Sequence, residues 1–363
     1  MSASFRPLDG ISVVDISHVI AGPFATFHLA QMGADVLKIE NIHGGDVMRR
    51  NARGPKAFAA LNAGKRKLRL DIAAPAGRDH LIALVRDTDI LVDNLRPGVL
   101  EGKGLGYAAM QAINPRLIYC SISGFGRSGA ASGRPAYDHV VQAATGMTLA
   151  SGTEGEPPSK IGFPLIDAGA GIIAALAIVS ALRERDRTGA GMLLDVSMAG
   201  AALQLMYPQT CEALTDGIVP ARPGNQAFSG SPAADVFATR DDKWIALAAN
   251  TPGQLLRLFE VLGLSELARD PALFDPPLTA DAPAAMVRAK DAATVKARIR
   301  ARIATTDAAH LEAALIRSRV PVSRVRTLPE FTAEAEQAGQ LTPVELEDEG
   351  VTVRSPGLGF RVL

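Results

Sequence analysis

Residues 11–40 open with Ile11-Ser12-Val13-Val14-Asp15-Ile16, pass through Ser17-His18-Val19-Ile20-Ala21-Gly22-Pro23, and close with Gly33-Ala34-Asp35-Val36-Leu37-Lys38-Ile39-Glu40. The first run is short, apolar and β-branched, which reads as a strand. Pro23 suits the first turn of a helix, because its fixed φ is helical and its missing N–H is not needed there. Residues 24–32 continue that helix, and Gly33 stops it as a C-cap would. Residues 35–40 read as a second strand. Strand, helix and strand in so short a stretch make a βαβ unit, whose strands lie parallel. No Gly-x-Gly-x-x-Gly fingerprint follows the first strand, so nothing here points to a nicotinamide or flavin dinucleotide.

The alternation continues outward. Strands are expected near residues 68–72, 89–93, 117–123 and 192–197, with helices near 75–86, 107–113 and 139–147. Such alternation predicts an α/β fold with a doubly wound, mostly parallel, Rossmann-like sheet. Ligands on such sheets bind beyond the carboxyl ends of the strands, at a topological switch point. The loops at 17–23, 94–98 and 123–126 all follow strands and are expected to share that edge. A polar, glycine-marked loop at Gly44-Gly45-Asp46 leads to Arg49, Arg50 and Arg53, which read as a solvated patch.

Residues 163–197 hold the longest apolar helix. Pro164 and Asp167 stand at its head, residues 168–182 carry no charge, and Arg183, Arg185 and Arg187 crowd its end, where cations complement the helix dipole. Gly189 and Gly191 stop it. Its uncharged part is shorter than a bilayer needs, so a buried core helix is expected rather than a membrane span. Two readings of Asp167 stand side by side. An aspartate at this place is a good N-cap for the orphan backbone N–H groups. The other reading is a carboxylate nucleophile kept ionised by the helix N-terminus, with Gly169 and Gly171 leaving room for a ligand to approach. Asp138 is a second candidate cap, for the helix near 139–147, and His139 reads as packed or solvated.

The chain has 363 residues, 47% hydrophobic and 21% charged, with 38 basic and 38 acidic side chains. That suffices for two domains, and the zero net charge gives no basic excess for nucleic acid. The opening residues contain no apolar signal core. Cys120 and Cys211 have no metal or redox spacing, so each is expected to be a buried thiol, in a reducing, cytoplasmic setting. No spaced ligand set among the histidines and cysteines indicates a metal. After a helical segment at 198–213 the composition shifts. Residues 1–205 are read as a large α/β domain, and 206–232 as a linker or functional loop. A smaller α+β domain is expected at 233–322, opening with a hairpin turned at Asp241-Asp242, and 323–363 as a return to the large domain. Helices are expected at 252–262, 284–304 and 308–317.

The order of motifs resembles the class III coenzyme A transferase family, which includes formyl-CoA and carnitine CoA-transferases and the α-methylacyl-CoA racemases. The resemblance rests on Val14-Asp15-Ile16 with Ala21-Gly22-Pro23 and Gly33-Ala34-Asp35-Val36; on Leu61-Asn62 with Lys65-Arg66; on Asp93-Asn94 with Arg96-Pro97-Gly98 and Asn114-Pro115-Arg116; and on Ile166-Asp167 with Arg185 and Thr188-Gly189. It implies that Asp167 is the catalytic carboxylate of an acyl-CoA:carboxylate CoA transferase. The carboxylate would attack the thioester to give a mixed anhydride, and the CoA thiolate would return to form an aspartyl-CoA thioester. Coenzyme A thioester is then a substrate, no cofactor is bound permanently, and the partners are acyl-CoA and carboxylic acids rather than nucleic acid or membrane. The resemblance places Asn62, Leu70, Asn94 and Arg96 around coenzyme A and Tyr137 beside the thioester. His18, Ile20, Gly230 and Ser231 become candidates for the active-site loop or substrate contacts. Asn41 stands where the family has a phosphate-contacting arginine, a role open to Arg49, Arg50 or Arg96. The racemase branch has a histidine base where this chain has Tyr137, which favours transfer over racemisation. The alternatives are an acyl-CoA racemase and a non-catalytic CoA-binding protein. The resemblance further implies an interlocked homodimer.

Overall fold

The structure, a computed structural model, describes residues 5–50, 54–279 and 286–362. Arg53, the first four residues and the start of the helix expected from 284 lie outside the described residues. The described chain divides into two compact units.

The first unit takes residues up to 151, 158–220 and 339 onward. Its elements run β1 (Ser12–Asp15), α1 (Ala21–Gln31), β2 (Asp35–Glu40), α2 (Gly54–Asn62), β3 (Arg66–Arg69), α3 (Pro75–Arg86), β4 (Ile90–Asp93), α4 (Tyr107–Ile113), β5 (Ile118–Ser123), α5 (Asp138–Ala144), α6 (Met147–Ala150), α7 (Leu165–Thr188), β6 (Met192–Ser197), α8 (Met198–Leu205) and α9 (Tyr207–Asp216). Six strands form one sheet in the order β3-β2-β1-β4-β5-β6, and every pairing is parallel. Strand order reverses between β1 and β4, which makes their carboxyl ends the switch point. The expected doubly wound sheet is therefore present.

Burial explains why the strands read as unbroken apolar runs. Val13, Ile90, Val92, Ile118, Cys120 and Ile122 face α1, α7 and α8. The alternate residues Val14, Leu91 and Tyr119 face α3 and α4. A sheet covered on both faces needs apolar residues at every position. α7 is long and apolar enough to cross a membrane. In this fold Ala170, Ala174, Ile178 and Ala181 bury one side of it in the core, while Ile172, Leu176 and Val179 remain exposed on the other. Gly171 sets its distance from α1, because a Cβ there would lie 2.8 Å from the Ala21 carbonyl oxygen.

Several boundaries differ from expectation. The segment 54–62, for which no element is expected from the sequence, is a helix. The helix expected across 198–213 is two helices, broken at Met206. The helix expected from 284 begins at Ala292, where Asp291 caps it.

The second unit holds 152–157 and 221–338. It contains β7 (Val236–Ala238), β8 (Trp244–Leu247), α10 (Pro252–Leu262), α11 (Ala292–Ile303), α12 (Ala308–Arg317), β9 (Val322–Arg324) and α13 (Leu328–Gln337). β9 pairs antiparallel with β8, extending the expected hairpin to three strands. Arg324 and Arg326 pair with Glu334 of α13, and the second unit runs to residue 338, so the return falls at Gly339 rather than 323. The returning segment forms the hairpin β10 (Val344–Asp348) and β11 (Val351–Ser355).

Candidate active site

Two cavities lie at the carboxyl end of the sheet, within the first unit. One, of about 100 Å³, is lined by residues of the loops after β1, β4 and β5 together with Tyr137 and Asp167. The expected convergence of those three loops is found there. The other, of about 190 Å³, lies over β2 and the loop following it. His18 and Leu95 line both.

Asp167 sits in the first turn of α7, and the reading of it as a cap fails. The N-cap position is Pro164, and no side chain of α7 caps its own helix. The cap comes from α5 instead. Asp138 Oδ2 accepts hydrogen bonds from the backbone N–H of Ile166 at 2.7 Å and of Asp167 at 3.1 Å. Asp138 is also not the N-cap of α5, which is Tyr137. Gln142 steadies the arrangement: its amide nitrogen donates to Asp138 Oδ1 at 2.6 Å, and its oxygen accepts from Ile161 N at 2.8 Å.

This arrangement inverts the expected electrostatics. The positive end of the helix is already satisfied by one carboxylate. Burial, followed by the charge of Asp138, pushes the Asp167 carboxyl up from 3.8 to about 7. Desolvation thus works against the ionised form, and the helix N-terminus does not hold the carboxyl in its ordinary range.

The wall facing this cavity is the segment after β1. Its residue Val19 has φ +66°. A β-branched residue in the left-handed region stores on the order of 1–3 kcal/mol of strain. Asn94 clamps the segment: its Oδ1 accepts from His18 N at 2.9 Å and its amide nitrogen donates to the His18 carbonyl at 2.6 Å. Gly22 is required where α1 turns back, since a Cβ there would lie 2.2 Å from Ser17 Cβ. The α1 N-terminus, which carries no capping side chain, lines the same cavity through Ile20 and Ala21. Burial lowers the pKa of His18.

Behind the wall lies a buried ion network. Asp15, Lys38 and Asn62 are fully buried, and Lys65 is nearly so. Lys65 Nζ lies 3.1 Å from Asp15 Oδ2 and donates to Asn62 Oδ1 and the Pro23 carbonyl, both at 2.9 Å. Burial raises the Asp15 pKa, but Lys38 and Lys65 outweigh it and hold the carboxyl well below the usual range. Burial pushes the Lys65 ammonium down to about 7.

The expected site residues fall into groups. His18, Ile20, Asn94, Arg96 and Tyr137 line the cavity of Asp167, and Leu70 and Asn41 line the second cavity. Asn62 departs from expectation. It lines neither cavity, and its amide is spent on Lys65 and on the Phe58 carbonyl, to which it donates at 3.0 Å. Arg49 is spent too: it pairs with Glu40 at 2.7 Å and Glu349 at 2.8 Å, and stacks over Phe58. Gly230 and Ser231 belong to the second unit, where the Ser231 hydroxyl donates to the Ala249 carbonyl. Sequence reasoning missed Lys38, Asp46 and Lys65. The signal was a lysine between Leu37 and Ile39, inside an otherwise apolar strand.

A family profile described as CoA-transferase family III matches residues 8–362. An acyl-CoA transferase of Fusarium pseudograminearum is 36% identical over 76% of this chain and 63% of its own length. An acetyl-CoA:oxalate CoA-transferase of Acetobacter aceti is 39% identical over 73% of this chain and 69% of its own. The chain thus spans about two thirds of the length of these curated relatives. A solved CAIB/BAIF family protein from Brucella suis superposes with TM-score 0.83 at 29% identity, covering 98% of this chain and 93% of that one.

Proposed function

The chain belongs to CoA-transferase family III, and from that footing we propose that it transfers coenzyme A between carboxylic acids with Asp167 as the nucleophile. The observation that carries the reading is a half-buried carboxylate lining a cavity at the switch point of a parallel sheet. In its ionised form Asp167 attacks the thioester carbonyl, and the C–S bond breaks to release CoA thiolate and leave an acyl–aspartyl anhydride. The thiolate then attacks the aspartyl carbonyl and expels the first acid as its carboxylate. The acceptor acid displaces the thiolate from the aspartyl thioester, and the thiolate attacks the new anhydride at its acyl carbon, freeing Asp167. Every step is acyl transfer at a carbonyl, with no net oxidation or proton consumed.

The surroundings of Asp167 support these steps. A desolvated carboxylate is a stronger nucleophile than a hydrated one, and a narrow cavity limits hydrolysis of the anhydride. The uncapped α1 N-terminus offers backbone dipoles to the oxyanion that forms at the attacked carbonyl. We assign the nucleotide end of coenzyme A to the cavity over β2, with Leu70 against it. Arg96 and Arg50 remain as candidates for the phosphates, since Arg49 is engaged by two glutamates. The oxalate enzyme among the relatives makes a small dicarboxylic acid a reasonable first acceptor to assay. The exposed stripe of Ile172, Leu176 and Val179 along α7 supports a homodimer, which light scattering after gel filtration would detect. The unpaired Cys120 and Cys211 fit a cytoplasmic setting.

The direct test is chemical trapping. Hydroxylamine with an acyl-CoA donor should convert Asp167 to its hydroxamate, found by peptide mass spectrometry, and Asp167→Ala should lose CoA exchange. Exchange retained by Asp167→Ala would refute the assignment.

A further inference from the structure

The segment joining β1 to α1 divides the two cavities, and its conformation is held from outside. Val19 takes φ +66°, a conformation that a β-branched residue does not favour. Five backbone groups of residues 17–19 are tied to side chains. Ser17 N donates to Asp15 Oδ1 at 2.9 Å, Asn94 takes both backbone groups of His18, and Val19 N donates to Asp46 Oδ1 at 3.3 Å. Lys38 Nζ donates to the Ser17 carbonyl. That ammonium is fully buried and lies 3.8 Å from Asp15 Oδ1 and 3.5 Å from Asp46 Oδ2, whose only close cation it is among the described residues. Lys38 therefore joins the strand behind the segment, the loop beside it and the segment's own backbone.

A buried ion network is a poor way to gain stability, since apolar residues of the same volume commonly do as well. What it provides is direction: charges with one low-energy arrangement hold a backbone that would otherwise relax. Here the backbone so held is the strained one, and it separates the cavity of Asp167 from the cavity over β2.

We propose that Lys38 is a positioning residue: through Asp15, Asp46 and the Ser17 carbonyl it fixes the left-handed turn at Val19, and so sets the affinity of the site for the acyl-CoA thioester. The ligand class rests on the transferase reading, whereas the fixing of the turn does not.

The test uses Lys38→Met, Val19→Gly and their combination. Methionine keeps much of the lysine stem and removes the charge. Glycine adopts φ > 0 without strain, so it should lessen the need for the tie. In Lys38→Met, amide hydrogen exchange at His18 and Val19 should accelerate by about tenfold or more while core amides of α7 stay protected. The KM for acyl-CoA should rise by about tenfold, with kcat changed far less. Adding Val19→Gly should recover most of the KM. A purely structural lysine would lower the melting temperature without altering exchange at the turn or KM, and that result would overturn the proposal. A double variant worse than Lys38→Met would do the same. If Lys38→Met does not fold, Asp46→Asn serves: it keeps the side-chain shape, weakens the hold on Lys38, and must still loosen the Val19 amide. Exchange is measured without substrate, so it separates the two readings. Loosening of the turn in a protein that binds no CoA thioester would refute the transferase reading alone. Normal CoA exchange with an unchanged turn would refute this one alone.

Discussion

Replacing Asp167 with asparagine should make the protein more stable, and by an amount that depends on pH. Burial and the neighbouring Asp138 raise the Asp167 carboxyl from 3.8 to about 7. At about 1.4 kcal/mol per tenfold change in proton affinity, a rise from 3.8 to about 7 corresponds to about 4 kcal/mol against the ionised form in the folded state. The side chain is not wholly enclosed, so solvent screening reduces this to about 2–3 kcal/mol. The sign follows from linkage. Well below pH 3.8 the carboxyl is neutral in both folded and unfolded chains, and nothing is lost. As pH rises from about 4 through about 7 the unfolded chain ionises while the folded one resists, and stability falls. Asparagine has nearly the same shape and never ionises. Asp167→Asn should therefore match the wild type near pH 3 and exceed it by about 2–3 kcal/mol at pH 8. Urea unfolding followed by far-UV circular dichroism measures this directly. Fluorescence is the wrong probe, since the single tryptophan, Trp244, lies in the second unit. An advantage that is equal at both pH values would show that Asp167 is not a desolvated carboxylate. A loss of stability at pH 8 would show that the ionised form is held by partners.

Further predictions concern the surroundings. Asp138→Asn removes the second negative charge yet keeps an oxygen for the amides of Ile166 and Asp167. The acidic limb of kcat/KM against pH, set by Asp167 near 7, should move to lower pH, and an unmoved limb would exclude Asp138 as its cause. Gly171→Ala places a methyl against the Ala21 carbonyl and Phe24. It should cost about 1–3 kcal/mol in a denaturant titration. It should also raise the KM for acyl-CoA, because the displaced α1 start lines the cavity. Arg185 is buried at the far end of α7, with its guanidinium 2.9 Å from Asp89 Oδ1. Arg185→Met should lower stability by about 2–4 kcal/mol while leaving kcat of the folded enzyme unchanged, which calorimetry and initial rates together will check.

Much of the fold was legible in the order of residues. Short β-branched runs alternating with helical stretches define a parallel sheet, because each strand buried on both faces must be apolar throughout. The long helix ends where Gly189 takes its left-handed cap, as its place after the arginines indicated. Motif order also marked Asp167 and the loop residues His18, Ile20 and Asn94. Pattern could not reveal which groups meet across the fold. It made Asp167 a cap, whereas the cap is Asp138, distant in sequence. The family resemblance offered Asn62 and Arg49 as ligand contacts, whereas Lys65 and two glutamates engage them. The charged residues inside β1 and β2 were visible, but their pairing was not. Local sequence fixes backbone preference and the periodicity of burial. The ionisation of Asp167 and the strained wall opposite it depend on desolvation and on charges brought together from separate elements, which only the tertiary structure decides.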